Sequence, residues 1–252
     1  MRRSIDLNSD LGEGAGYDAA IMQLISSANI ACGAHAGDED TMRATVALAL
    51  RHGVAVGAHP GYRDRANFGR LPVPMDPLAL IEEVSGQVRA LAEIAAAAGA
   101  TLRHVKAHGA MYNQAERDEA IARSVAMGIY DDARGARLLV FAPPGSALER
   151  AAAAMDLRVA REGFVDRAYE PNGTLRSRKL PGAVHTVPLV AAAQAVSIVR
   201  DGGVRAFDGS FLKLQVDTLC FHGDTPGAAG IAAAVRAALD REGVDVRPFR
   251  SS

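Results

Sequence analysis

Four of the seven histidines close short apolar runs: His35 ends "CGAH", His59 ends "VGAH", His108 ends "VKAH" and His222 ends "LCFH". Imidazole titrates nearest neutrality, so it suits acid–base catalysis, and its neutral nitrogens suit metal ligation. Carboxylates travel with these histidines. Asp10 and Glu13 follow the first apolar run, Asp38 follows His35 and Asp224 follows His222. A lone histidine is as often a satisfied structural residue, but four at equivalent places in one pattern point to a site. His52 differs, because it closes the helix-like "LALRHG" and favours a helix C-terminus. His185 follows a loop rich in Gly and Pro, and its role stays open.

Two further chemistries are written nearby. In "LRHVKAH" (102–108), His104, Lys106 and His108 share the face opposite Val105 and Ala107. A lysine on the inward face of a strand is costly unless it meets a carboxylate or an anionic ligand, and both readings stay open. Asp10, His35 and His59 form one candidate carboxylate-plus-two-histidine metal set, although no HExxH pair lies on one helix. "LGEGAG" (11–16) resembles a phosphate-cradling loop, but Tyr17 stands where a dinucleotide fingerprint needs glycine, so a turn shaping a site rim is favoured. No G-x-x-x-x-G-K-S/T occurs. The loop 166–187 carries Arg167, Arg176, Arg178 and Lys179, either as a solvated surface or as a clamp for a carboxylate or phosphate.

Something must bring these distant residues together. Strand-like runs near 3–8, 28–32, 54–58, 102–107, 137–142, 157–162 and 216–221 alternate with helical stretches near 18–26, 39–52, 77–98, 117–128, 146–155, 188–199 and 226–242. Asp76 and Pro77 open the third helix and Gly99 stops it. Strand then helix, repeated about seven times, implies parallel strands with crossover helices. Asp6, Asn8 and Asp10 alternate with Ile5 and Leu7, so one strand face is polar, whereas an open sheet covered on both sides reads as continuous apolar runs. The expectation is a TIM-like (β/α)7 barrel of class α/β, a single domain over 1–252, whose closure stays open. A barrel gathers its C-terminal strand ends on one face, so the four histidines converge there.

Composition narrows the function classes. With 252 residues, 49% of them hydrophobic, the chain is long enough for a full core, and a formal charge of −1 does not steer it to nucleic acid or membrane. No apolar run approaches the ~20 residues of a membrane span, and the N-terminus has no secretory apolar core. Cys32 and Cys220 are too few for a disulfide framework. A cytoplasmic protein is expected.

The segments "IDLNSDLGEG", "NIACGAHAGD", "GAHPGYRDRANFGR", "VKAHGAMYN", "REGFVDRAYEPNGTLRSR" and "LCFHGDTPGA" together resemble the LamB/YcsF family from residue 4 to about 240. Ala107 and Met111 stand where the family motif "KPHGALYN" has Pro and Leu, and Arg63, Leu71, Gly163 and Val165 also depart, while the polar positions are retained. The resemblance implies a seven-stranded barrel related to glycoside hydrolases and deacetylases. It implies one component of an ATP-dependent 5-oxoprolinase complex, in which ATP is a co-substrate and subunits B and C are partners. The lactam oxygen would be phosphorylated and water would open the ring. The expected catalytic set is Asp10, His35, His59, Lys106, His108 and His222, with His59 and His108 favoured as acid and base. The expected substrate contacts are Asn8, Glu13, Asp38, Arg70, Asn113, Arg178 and Asp224. Whether a divalent metal is needed stays open. The rivals are a metal-dependent deacetylase or amidohydrolase acting alone, and a non-catalytic lactam-binding subunit.

Overall fold

The computed structural model describes residues 3–132 and 138–249. In chain order its elements are β1 (Ser4–Leu11), α1 (Asp18–Met22), β2 (Ser27–Ala31), α2 (Glu39–His52), β3 (Ala55–His59), α3 (Pro77–Ala97), β4 (Leu102–Val105), α4 (Gly109–Ala115) and α5 (Glu119–Asp132). Then follow β5 (Leu139–Ala142), α6 (Ala147–Ala153), β6 (Arg158–Phe164), α7 (Pro188–Asp201), β7 (Gly203–Arg205), β8 (Phe211–Lys213), β9 (Thr218–His222), α8 (Ala228–Arg241) and β10 (Asp245–Val246).

Strands β1 to β6 and β9 are parallel and consecutive neighbours, and β9 pairs with both β6 and β1. The seven-stranded ring therefore closes, which settles the question left by the strand pattern. Closure turns one face of every strand inward. On β1, the carboxylate or amide groups of Asp6, Asn8 and Asp10 all bond to partners on other strands, and all three are buried. Ile5, Leu7 and Leu11 instead join the apolar layer between strands and helices, with Val84, Val88 and Leu91 of α3 and Ile231 and Val235 of α8.

Local signals explain the helix boundaries. The Asp38 carboxylate accepts from Thr41 N at 2.8 Å to cap α2, and Gly53 ends that helix in the left-handed region at φ 67°. Asp76 caps α3 by accepting from Leu78 N, with Pro77 in the first turn.

Four elements lie outside the sequence reading. Helix α4 is one short turn sequence, "GAMYNQA", with no side-chain cap. The antiparallel pair β7–β8 stands apart from the barrel. Strand β10 adds two residues beside Ser4 and Ile5. All four are too short to show a period. Position 137, the first of the fifth expected strand, lies outside the described residues.

Candidate active site at the barrel mouth

The C-terminal ends of β1, β2, β3, β4, β6 and β9 deliver the polar residues to one mouth. Three histidines and one carboxylate meet there. One ligand-competent atom each from Glu13, His35, His59 and His108 lies within 4.8 Å of all the others. Glu13 Oε1 is 3.1 Å from His35 Nε2, 3.3 Å from His108 Nδ1 and 3.8 Å from His59 Nε2. The loop after β1 therefore does more than shape a rim: it swings Glu13 inward. Gly37 makes this path possible, since a Cβ there would lie 2.9 Å from Gly12 O. The rings pack closely, with His35 and His108 stacked at 3.7 Å between centroids.

Backbone carbonyls set the tautomers. His59 Nδ1 donates to Lys106 O at 2.8 Å, and His108 Nε2 donates to Phe68 O at 2.8 Å. The opposite nitrogens, His59 Nε2 and His108 Nδ1, then face each other at 3.0 Å. Burial disfavours the His59 cation, but the Asp10 and Glu13 carboxylates outweigh that and raise its pKa. His108 is driven well below the ordinary range by burial and by His59 and His35. Burial likewise takes His35 down to about 3, and burial with Asp10 beside it lifts Glu13 to about 7.

Beneath this cluster lies an ion network. Lys106 Nζ is 2.9 Å from Asp10 Oδ1 and 3.1 Å from Glu162 Oε1, and it donates to Cys220 Sγ at 2.9 Å. Asn29 also donates to Asp10 at 2.8 Å, and Tyr112 OH donates to Glu162 at 2.7 Å. The structure thus gives Lys106 carboxylate partners. Burial opposes its charge, but Asp10, Cys220 and Glu162 raise its pKa well above the ordinary value. Burial opposes the charge on Asp10 too, while His59 and Lys106 pull its pKa well down.

The fourth histidine is separate. His222 Nδ1 lies 2.9 Å from Asp166 Oδ2, and that carboxylate also accepts from His222 N and from Thr225 Oγ1. Burial would raise the Asp166 pKa, but His222 holds it down at about 2. The His222 side chain keeps 16% exposure, against 1% for His59 and 7% for His108. A carboxylate thus orients the ring of the one more open imidazole of the four.

The remaining expected residues fall in several places. Asn8 donates to Glu162 at 3.0 Å and to Thr218 at 2.7 Å within the barrel. Arg70 and Asp224 form an ion pair at the rim, with Arg70 also over the Phe68 ring. Asp38 is exposed and spent as the α2 cap, and Asn113 is exposed on α4. Arg178 is exposed, yet close enough to Asp166 to help stabilise its charge. Arg167 and Arg176 hold their own loop, through Ala183 O and Arg176 O for the first and Pro181 O and Glu170 for the second. The sequence reading missed Asn29, Tyr112, Glu162 and Asp166. A carboxylate inside the strand-like "LRVARE" was the signal for Glu162, and the polar residue after "GFV" was the signal for Asp166.

The candidate metal set also changes. Asp10 Oδ1 is taken by Lys106 and Asn29, so the carboxylate that joins His35 and His59 at one point is Glu13, and His108 is the fourth member.

Known proteins resemble this chain along nearly its whole length. A protein of Symbiobacterium thermophilum named as the A-subunit of 5-oxoprolinase is 51% identical over 249 residues, covering 97% of this chain and 95% of that protein. The crystal structure of a "Lactam Utilization Protein" from Thermus thermophilus superposes with a TM-score of 0.91 at 42% identity, covering 98% of this chain and 100% of that one. A "T48 deacetylase with substrate" reaches a TM-score of 0.52 at 11% identity, covering 99% of this chain and 94% of that one, and shares the fold alone. The LamB/YcsF family model matches residues 5–252, and with that match and these relatives the chain belongs to the LamB/YcsF family.

Proposed function

We propose that this chain is the barrel subunit of an ATP-dependent 5-oxoprolinase, which opens 5-oxo-L-proline to L-glutamate. The observation that carries the reading is the near-full-length identity of 51% to a protein named as the A-subunit of 5-oxoprolinase. The mouth supports hydrolysis, because it pairs a carboxylate-oriented imidazole with a second group of histidines, of which His59 is biased toward its cation.

A five-membered lactam is a poor electrophile. Transfer of the ATP γ-phosphoryl group to the lactam oxygen, with loss of the ring N–H proton, makes an imidate-like phosphate and ADP. Water then adds to the ring carbon, the carbon–nitrogen bond breaks, and an acyl phosphate remains. A second water releases phosphate and leaves glutamate. His222 takes the proton from the attacking water and returns it to the departing nitrogen, with Asp166 holding the ring and stabilising the cation. This role passes to His222 from His59 and His108, because their inward nitrogens face each other at 3.0 Å rather than the opening. Lys106 acts one layer deeper, fixing Asp10 beside His59. The chain carries no nucleotide-binding motif, so partner subunits share in ATP use.

The test reconstitutes the chain with its B and C partner subunits and follows glutamate from 5-oxo-L-proline, with and without ATP, omitting each chain in turn. Glutamate that requires ATP and every chain supports the reading, and none from folded components overturns the substrate. In the active complex, His222→Gln or Asp166→Asn is expected to lower kcat by about 10²–10⁴-fold. Wild-type turnover in both variants would remove the dyad from the mechanism.

A further inference from the structure

We propose that Glu13, His35, His59 and His108 bind one divalent first-row transition metal ion of the zinc type. Three observations converge on it. The four side chains come from the C-terminal ends of four separate strands and the loops after them, yet their ligand atoms share a space no wider than 4.8 Å. Their side chains are 0–7% exposed, so the shared point is shielded from bulk water. The outer nitrogens of His59 and His108 are tied to backbone carbonyls at 2.8 Å, which aims a lone pair from each ring at the same point. Tying the far nitrogen of an imidazole to a carbonyl is the usual way a protein orients a ligating histidine.

The lone pairs call for positive charge among them. A carbonyl only accepts, so His59 Nδ1 and His108 Nε2 carry the ring protons. In the neutral rings, His59 Nε2 and His108 Nδ1 are then two acceptors 3.0 Å apart, with Glu13 Oε1 a third acceptor 3.3 Å from His108. Lone pairs so placed repel unless positive charge stands among them. His35 adds Nε2 at 3.1 Å from the same Glu13 oxygen, while its Nδ1 is buried with no hydrogen-bond partner among the described residues. Asp10 Oδ2, 3.5 Å from His59 Nε2, supplies a second negative charge to balance a dication.

The donor set selects the ion. Three imidazoles and one carboxylate suit zinc, iron, cobalt, nickel or copper, whereas magnesium and calcium prefer all-oxygen cages. The inference goes beyond the oxoprolinase reading and holds whatever the barrel's substrate, because it rests on the ligand geometry alone.

The experiment strips the purified, untagged chain with a chelator, then titrates Zn2+ by calorimetry and measures bound metal after desalting. One equivalent per chain is expected. Glu13→Gln, His59→Ala and His108→Ala should each weaken binding by at least ~10-fold, and His52→Ala and His185→Ala should not. The wild-type chain also gives a variant-free readout: Co2+ should produce the intense visible bands of a low-coordinate nitrogen and oxygen site. Substoichiometric Zn2+, a weak aquo-like Co2+ spectrum, or equal binding by a folded His59→Ala/His108→Ala double variant would each overturn the proposal. The first two outcomes would leave a shared proton as the charge between His59 and His108. Because the readout is binding, loss of the oxoprolinase assignment would not alter it.

Discussion

The barrel interior is polar at both ends, yet the two ends solve the problem differently. At the floor, the Asp6 carboxylate accepts from Ser26 Oγ at 2.6 Å, Ser27 Oγ at 2.7 Å and Thr218 Oγ1 at 2.5 Å. His104 Nε2 donates to Asn29 Oδ1 at 2.8 Å, and its ring stacks on Phe141 at 4.2 Å. Each acceptor there faces a donor. At the mouth, with the rings neutral and Glu13 ionised, His59, His108 and Glu13 set acceptors against acceptors. Buried polar groups that satisfy one another build structure, and buried acceptors that converge without a donor await a ligand or a proton. Lys106 separates the two layers, with Asp10 on the mouth side and Glu162 as its second partner.

That contrast breaks most severely if the divider goes. Lys106→Met leaves Asp10 and Glu162 buried without their cation, and removal of one partner from a buried ion network costs about 3–5 kcal/mol. The expected result is a large fall in the urea midpoint at constant slope. A wild-type midpoint would mean that the network is solvated and that mouth and floor are continuous. The sequence alone allowed Lys106 to contact an anionic ligand, in which case its replacement spares the fold. The pairing distances now assign the loss to stability first.

A smaller effect should come from overfilling the floor. A Cβ at Gly57 would lie 2.0 Å from His104 Nε2, so Gly57→Ala must displace the ring and is expected to cost about 1–3 kcal/mol. Gly86, inside α3, has open space around it, and Gly86→Ala should stabilise by about 0.5–1 kcal/mol through helix propensity. Equal thermal midpoints for the two alanine variants would show that the floor repacks freely.

The third test uses pH. Burial holds the His104 pKa at about 3, far below its ordinary 6.5. A depressed histidine pKa means that the folded state keeps the neutral ring while the unfolded chain takes up a proton. Stability from this group is therefore full above about 6.5 and falls as the pH drops toward about 3, by roughly 1.4 kcal/mol per unit. His104→Gln should flatten the acid limb of the stability curve by that slope and leave the neutral region less changed. An unaltered slope would place the acid sensitivity at the mouth instead.

The smallest effect belongs to the rim. Arg70 and Asp224 are 42% and 21% exposed, and an open pair of this kind contributes about 0–1 kcal/mol. Arg70→Ala should leave the thermal midpoint nearly unchanged. A rise in KM of the reconstituted complex, without loss of stability, would make the rim a substrate contact.

Much of the frame was legible along the chain. The seven strand-like runs each overlap a barrel strand, and Asp6, Asn8 and Asp10 lie inside as their alternation required. The cap at Asp38 was legible because N-capping is local, and that same engagement is why its exposed carboxylate has a structural task. The partners of the site histidines were less legible. Asp166 lies 56 residues from His222, and Glu162 bonds to Asn8 across 154 positions. No periodicity of 2 or 3.6 reports on such pairs.

The amino-acid sequence by itself determined the β/α rhythm, the polar face of β1 and β4, and the placement of four histidines at strand ends. Those features follow from alternation, helix caps and local chain direction, which neighbouring residues decide. Only the tertiary structure decided that Glu13 reaches all three clustered histidines while Asp10 flanks His59, that Asp166 orients His222, and that Lys106 is held by two carboxylates. The physical reason is closure. Once β9 pairs with β1, the register around the ring determines which inward side chains share a layer, and the loops above it determine which carboxylate reaches which ring.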